Sequence, residues 1–332
     1  MNILFIGGTE FVGRYMVEAA LREKHRVTLF NRGKSHPELF PEAEKLVGDR
    51  DGNLDALKGK KWDVVVDSCG YIPRAVRQSA EFLKGSVGKY LFISTVSVYL
   101  DKKGMSETEE SDLQPTAQIK GEEITKETYG PLKVLCEEAV QEIYRDNHLI
   151  VRPGFVIGPH DPTDRITYWV RRFATESAVL CPDASDQPMQ MIDARDLGNF
   201  TIKLVDDRAT GAFNATGPAS LITFRQMLEA CHSATGSKAE PVWADYEFLK
   251  ANEVKPMQDF PLWMPPDNVP HQMLRIDLSK PKQAGLTFRP LAQSIDDILA
   301  WDKDRWNKSE LKAGMKRDVE EKLLEAWQAK QV

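Results

Sequence analysis

Short apolar runs alternate with longer amphipathic ones through the first half of the chain. Residues 3–6, 27–30, 64–67, 90–94 and 149–152 read as buried strands, because each is too short and too uniformly apolar for a surface helix. Between them Val12, Met16, Ala19 and Ala20 recur at helical spacing, as do Val76, Ala80 and Leu83, with charges on the opposite side. Strict alternation of this kind predicts βαβ units, hence a parallel sheet covered by helices on both faces.

After Pro153-Gly154 the rhythm loosens into a loop rich in Pro, Asp and His, then an aromatic-bearing helix from about residue 166 and a strand at 179–181. Asp193-Ala-Arg-Asp196 has the composition of a helix N-terminus, and 212–216 reads as a further strand returning to the main sheet. Helices follow from about 223 and 291, separated by a proline-rich stretch. The predicted fold class is therefore α/β, a doubly wound parallel sheet (Rossmann) with a smaller C-terminal α/β lobe. Residues 1–157 and 190–218 are assigned to the sheet domain, 158–189 and 219–302 to a substrate-binding lobe, and 303–332 to a charged helical segment.

Composition changes this picture little. An apolar fraction of 42% and a charged fraction of 28% suit a soluble globular chain. The net charge of −6 argues against nucleic acid as the main partner. Four scattered cysteines without CxxC spacing signal neither a disulfide framework nor a metal site, so no metal is expected. With no apolar run of membrane-spanning length and no leader-like start, the expected location is cytoplasmic, away from membranes.

The first strand runs directly into Gly7-Gly8-Thr9-Glu10-Phe11-Val12-Gly13 and then a helix, the order needed to place a pyrophosphate on a helix N-terminus. Glu10 stands where the three-glycine form of this turn has its middle glycine. The reading therefore requires its carboxylate to point outward. The second strand ends Asn31-Arg32-Gly33-Lys34 with no acid for a ribose hydroxyl. Arg32 and Lys34 can instead grip a 2′-phosphate, which favours NADP(H) over NAD(H) unless the loop is simply basic and solvated.

Tyr129 and Lys133 lie four residues apart, one turn on the same helix face, where an ammonium favours the phenolate. Pro131 confines Tyr129 to the helix start. Thr95, flanked by Ser94 and Ser97 at a strand's carboxyl end, is placed to hold the substrate oxygen that Tyr129 addresses. Candidate substrate contacts are Ser97, His160, Arg165, Trp169 and Trp263. Arg165 has two readings, an anion contact or a pair with a nearby Asp.

Four segments, Gly7–Gly13, Ser94–Tyr99, Tyr129–Lys133 and Arg152–Pro159, occur in the order seen in extended short-chain dehydrogenases/reductases. The chain resembles that superfamily over most of its length, and within it the NAD-dependent epimerase/dehydratase group often labelled isoflavone-reductase-like. The resemblance implies Thr95, Tyr129 and Lys133 as catalytic residues. It implies further cofactor contacts from Asp49, Arg50, Ser68, Cys69, Gly70, Ser94 and Pro153. It also implies a small-molecule substrate, nucleotide-sugar or isoflavone-reductase-like, and a possible homodimer. The Glu10 departure recurs in atypical members, some similar to chloroplast RNA-binding proteins, so a non-catalytic dinucleotide- or RNA-binding protein is the alternative.

Overall fold

In a computed structural model, the structure describes residues 1–101, 106–185, 187–218, 220–265 and 275–331. The chain forms β1 (Asn2–Ile6), α1 (Phe11–Arg22), β2 (Arg26–Asn31), β3 (Glu44–Val47), β4 (Trp62–Asp67), α2 (Pro73–Leu83), β5 (Val87–Ile93), α3 (Tyr129–Tyr144), β6 (His148–Pro153) and β7 (Phe155–Ile157). It continues through α4 (Arg165–Thr175), β8 (Ala178–Pro182), β9 (Pro188–Met189), β10 (Met191–Asp193), α5 (Ala194–Asp206) and β11 (Gly211–Ala215). The remaining elements are β12 (Ile222–Thr223), α6 (Phe224–Thr235), β13 (Glu240–Ala244), α7 (Tyr246–Ala251), α8 (Ser279–Gln283), α9 (Leu291–Lys303) and α10 (Arg317–Lys330).

Two compact units divide these elements. One holds the described residues of Met1–Val156, Gln190–Ala219 and His271–Phe288; the other holds those of Ile157–Met189, Ser220–Pro270 and Arg289–Val332.

The first unit is built on a seven-stranded sheet in the order β11-β6-β5-β4-β1-β2-β3, with every neighbouring pair parallel. This is the doubly wound α/β sheet that the alternation predicts. Side chains divide by strand periodicity between its two faces. Ile3, Phe5, Leu29, Val66, Leu91 and Val151 join a core with Met16 and Ala20 of α1 and Leu197 and Phe200 of α5. Leu4, Ile6, Phe30, Val65, Tyr90 and Phe92 join another with Val76 and Ala80 of α2 and Cys136 and Val140 of α3. Both faces are thus dry, which explains why these strands read as continuous apolar runs. α1 and α5 cross at Gly198, where a Cβ would sit 2.6 Å from the Tyr15 carbonyl oxygen, so no larger residue fits this approach.

The second unit packs α4, α6 and α9 together beside the parallel pair β8–β13. Its buried ion pairs include Arg171 with Asp302 at 2.6 Å and Arg172 with Glu320 at 3.3 Å. Among the described residues no helix is long and apolar enough to cross a membrane.

Candidate active site

Strand order reverses between β1 and β4, and a doubly wound sheet opens a crevice at the carboxyl ends of such a pair. The glycine turn follows β1. Gly7 and Gly8 have φ of +97° and +92°, and a Cβ on Gly13 would lie 2.9 Å from Ser68 Oγ and 3.0 Å from Gly8 Cα. The first turn of α1 therefore reaches the strand ends with only main chain between. Thr9 is buried, and Phe11 and Val12 are half-buried against the core. Glu10 is the N-cap of α1, but its side chain makes no capping hydrogen bond and is exposed. The carboxylate thus leaves the helix-start amides to an anion, and this cradle fits a dinucleotide pyrophosphate.

At the end of β2, Asn31 Nδ2 donates to the Gly7 carbonyl at 3.1 Å while its Oδ1 accepts from Gly33 N at 2.9 Å. Arg32 and Lys34 are exposed beyond it. The Asp49 carboxylate accepts from Asp51 N at 3.0 Å in a tight turn. Arg50 turns inward instead. Its guanidinium donates twice to Asp67, at 2.6 and 2.7 Å, and Asp67 is fully buried and accepts from Tyr90 Oη at 2.8 Å as well. Burial opposes the Arg50 charge, but Asp67 outweighs it and holds the guanidinium above its ordinary range. Burial, reinforced by Asp67, pushes the Cys69 thiol up to about 11, so it stays protonated at neutral pH. Ser68 Oγ donates to the Ile6 carbonyl at 3.1 Å, tying β4's end to β1.

The catalytic candidates converge at the ends of β4 and β5. Thr95 Oγ1 caps a single 3₁₀ turn at Val96–Val98, accepting from Ser97 N at 3.1 Å and donating to Ser97 Oγ at 3.2 Å. Tyr129 opens α3 and is half-buried. The next residue, Gly130, presses on the 3₁₀ turn: a Cβ there would lie 2.3 Å from the Ser97 carbonyl oxygen. Gln114 locks the same junction, donating from Nε2 to the Ser97 carbonyl at 2.6 Å and from its main chain to the Val98 carbonyl at 2.7 Å. Ser94 is buried, with a hydroxyl that has no partner among the described residues. Pro153 closes β6 opposite Ala215.

Lys133, one turn into α3, is 3% exposed, and its ammonium donates to the carbonyls of Gly70 at 2.7 Å and Ile93 at 2.6 Å. The rings of Phe92 and Tyr71 flank it, with centroids 4.2 and 5.3 Å away. Burial pulls its pKa down to about 8 despite the opposing pull of Asp67 and Glu137. An ammonium has three donors and two are spent on main chain, leaving one for a neighbouring oxygen. Tyr71 and Gln114 carry no motif in the sequence; of the two only Tyr71 has a local signal, an aromatic in the loop after β4.

In the second unit, Trp169 and Trp263 are 0% and 2% exposed and belong to its aromatic core. Trp169 stacks near Phe260, meets Phe224 edge-on and donates to the Pro261 carbonyl at 2.8 Å; Trp263 meets Phe260 and Tyr246 edge-on. His160 lies against Trp301, and Arg165 is 3.8 Å from the buried Asp161. Among the described residues no group of three or more His, Cys, Asp or Glu side chains is placed to hold a metal ion.

Residues 3–215 match the profile of the NAD dependent epimerase/dehydratase family. The chain is 24% identical over 258 residues to the chloroplast stem-loop binding protein of 41 kDa b of Arabidopsis thaliana, a match covering 71% of this chain and 63% of that protein. It is 24% identical over 276 residues to phenylcoumaran benzylic ether reductase TP7 of Nicotiana tabacum, covering 77% and 82% of the two chains. The chain thus spans less than two thirds of the chloroplast relative's length. In fold it is similar to UDP-glucuronic acid 4-epimerase from Bacillus cereus, solved in complex with NAD, with a TM-score of 0.68, 15% identity and coverage of 92% and 100%.

Proposed function

The chain belongs to the NAD dependent epimerase/dehydratase family, and from that membership we propose that it is an NAD(P)-dependent enzyme acting at a secondary alcohol or carbonyl of a small molecule. A bound nicotinamide dinucleotide supplies the acceptance and delivery of hydride. The amides of Gly7–Gly13 hold its pyrophosphate, Asp49 and Pro153 flank it, and Arg32 with Lys34 takes a 2′-phosphate, so NADP(H) is the preferred form. Thr95 orients the substrate oxygen. Tyr129 exchanges a proton with it, and Lys133 stabilises the Tyr129 phenolate and reaches a ribose hydroxyl. What supports this reading is the Lys133 ammonium, held by the carbonyls of Gly70 and Ile93 one helical turn from Tyr129.

Fluorescence titration of the purified chain with NADPH and NADH tests it. Binding is expected, tighter for NADPH, and Tyr129→Phe is expected to keep that binding while lowering turnover by about 10²–10⁴-fold. A chain that binds neither nucleotide overturns the reading. RNA binding on the same fold is the second reading, favoured by the name of the chloroplast relative and opposed by the net charge of −6.

A further inference from the structure

The turn that carries Thr95 is held from outside the sheet. Residues 112–114 run antiparallel beside residues 98–100: Leu100 N donates to the Asp112 carbonyl at 2.9 Å, Tyr99 bridges to Leu113, and Gln114 N donates to the Val98 carbonyl at 2.7 Å. Pro115 follows and has no N–H to extend the pairing. This register delivers the Gln114 side chain to the Ser97 carbonyl, to which Nε2 donates at 2.6 Å. Ser97 is thereby gripped from two directions, because Thr95 Oγ1 accepts from its main-chain N–H at 3.1 Å and donates to its hydroxyl at 3.2 Å. The same amide meets the start of α3. A Cβ on Gly130 would lie 2.3 Å from the Ser97 carbonyl oxygen, 2.6 Å from Gln114 Nε2 and 3.0 Å from Gln114 Cδ. One side-chain amide thus lies against both the Thr95 turn and the residue next to Tyr129.

We propose that Gln114 is a positioning residue that fixes the spacing between Thr95 and Tyr129. The inference rests on the reading above, in which Thr95 orients the oxygen with which Tyr129 exchanges a proton, and adds the group that sets their separation. Gln114 acts through Ser97. A carbonyl left without its donor at such a junction turns toward another one, carrying Ser97 and with it the Thr95 hydroxyl. The main-chain bond to Val98 survives any side-chain change at 114, so the segment keeps its path while the turn loosens. A shift of reacting groups on the ångström scale costs far more in rate than in binding.

NADPH oxidation with phenanthrenequinone as the carbonyl probe, NADPH dissociation constants and amide hydrogen exchange, measured on the full chain and on Gln114→Met and Gln114→Glu, test this. Gln114→Met keeps the side-chain length and removes the donor. It is expected to lower kcat by about ten- to a hundredfold, to leave KM for the quinone and NADPH affinity within about twofold of the parent, and to speed exchange only in residues 95–99 and 129–132. Gln114→Glu has a donor only while its carboxyl is protonated, so its kcat relative to the parent is expected to recover as pH falls from about 8 to about 5. Space-filling alone produces no such pH dependence. Unchanged kcat or unchanged exchange at 95–99 in Gln114→Met overturns the proposal, as does a Gln114→Glu ratio that is flat with pH. Weakened NADPH affinity with faster exchange throughout the chain signifies a general structural defect and overturns it too. A parent chain that neither binds NADPH nor oxidises it with the quinone overturns the underlying reading instead, a result kept apart by the exchange measurement, which needs neither cofactor nor substrate.

Discussion

The side-chain amide of Asn31 donates to the main-chain carbonyl of Gly7 at 3.1 Å, fastening the end of β2 to the glycine turn. Asn31 occupies the end of the second strand, where dinucleotide-binding sheets often carry an acid for a ribose 2′-hydroxyl. Asn31→Asp is expected to shift relative affinity toward NADH by about tenfold or more, since a carboxylate repels a 2′-phosphate and accepts from a hydroxyl. The same change removes the donor to Gly7 and costs about 1 kcal/mol of stability. Paired titrations with NADH and NADPH and a thermal melt check the two effects separately.

Lys133→Met removes the donor from the buried carbonyls of Gly70 and Ile93. Each orphaned acceptor costs about 1–3 kcal/mol, so a drop in urea midpoint is expected together with loss of turnover. Lys133→Arg, which keeps a charge but not the compact geometry, is expected to recover little of either.

Stability and turnover are expected to respond to pH in opposite directions. Lys133 titrates at about 8 when folded against an ordinary 10.5, so across that window the unfolded chain binds the extra proton and this group adds stability as pH rises. Turnover, which on the proposed reading needs the ammonium, is expected to fall through the same interval. Above about 10 the raised phenol of buried Tyr15 reverses the stability trend, because only the unfolded chain releases its proton there. Urea denaturation and turnover measured from pH 7 to 11 separate the two curves.

Asp67→Asn leaves the Arg50 guanidinium buried beside a neutral amide, and breaking such a pair costs about 3–5 kcal/mol. The double change Arg50→Met with Asp67→Leu is expected to regain most of that loss. Chemical denaturation of the three proteins measures it.

Gly198→Ala forces a methyl group to within 2.6 Å of the Tyr15 carbonyl oxygen. A cost of about 1–3 kcal/mol is expected, read as a lower melting temperature.

The sheet was readable because its strands are buried on both faces: a run such as Ile3-Leu-Phe-Ile6 admits few other placements. β3 was not, because Glu44-Lys-Leu-Val47 alternates half-buried with exposed residues at the sheet edge and carries no apolar run. The glycine turn, Thr95, Tyr129 and Lys133 were legible because their spacing along strand ends and one helix turn is itself the signal. The inward turn of Arg50 was not, since its partner Asp67 is 17 residues away and meets it only once the parallel sheet brings the carboxyl ends of β3 and β4 to the same side. Trp169 and Trp263 show the converse: the sequence offers them as substrate contacts, whereas they fill the aromatic core of their unit.

The first unit is assembled from three stretches of chain with parts of the second in between. A ribosome therefore releases β6 about sixty residues before its neighbour β11, and segment 275–288 later still. Until then the emerging polypeptide carries an open parallel border of unsatisfied amides and carbonyls, a template for mispairing between nascent copies. Expression yield should thus depend on elongation speed and chaperone supply between residues 153 and 288, the interval in which α5 and β11 complete the core and sheet that the first 153 residues leave open.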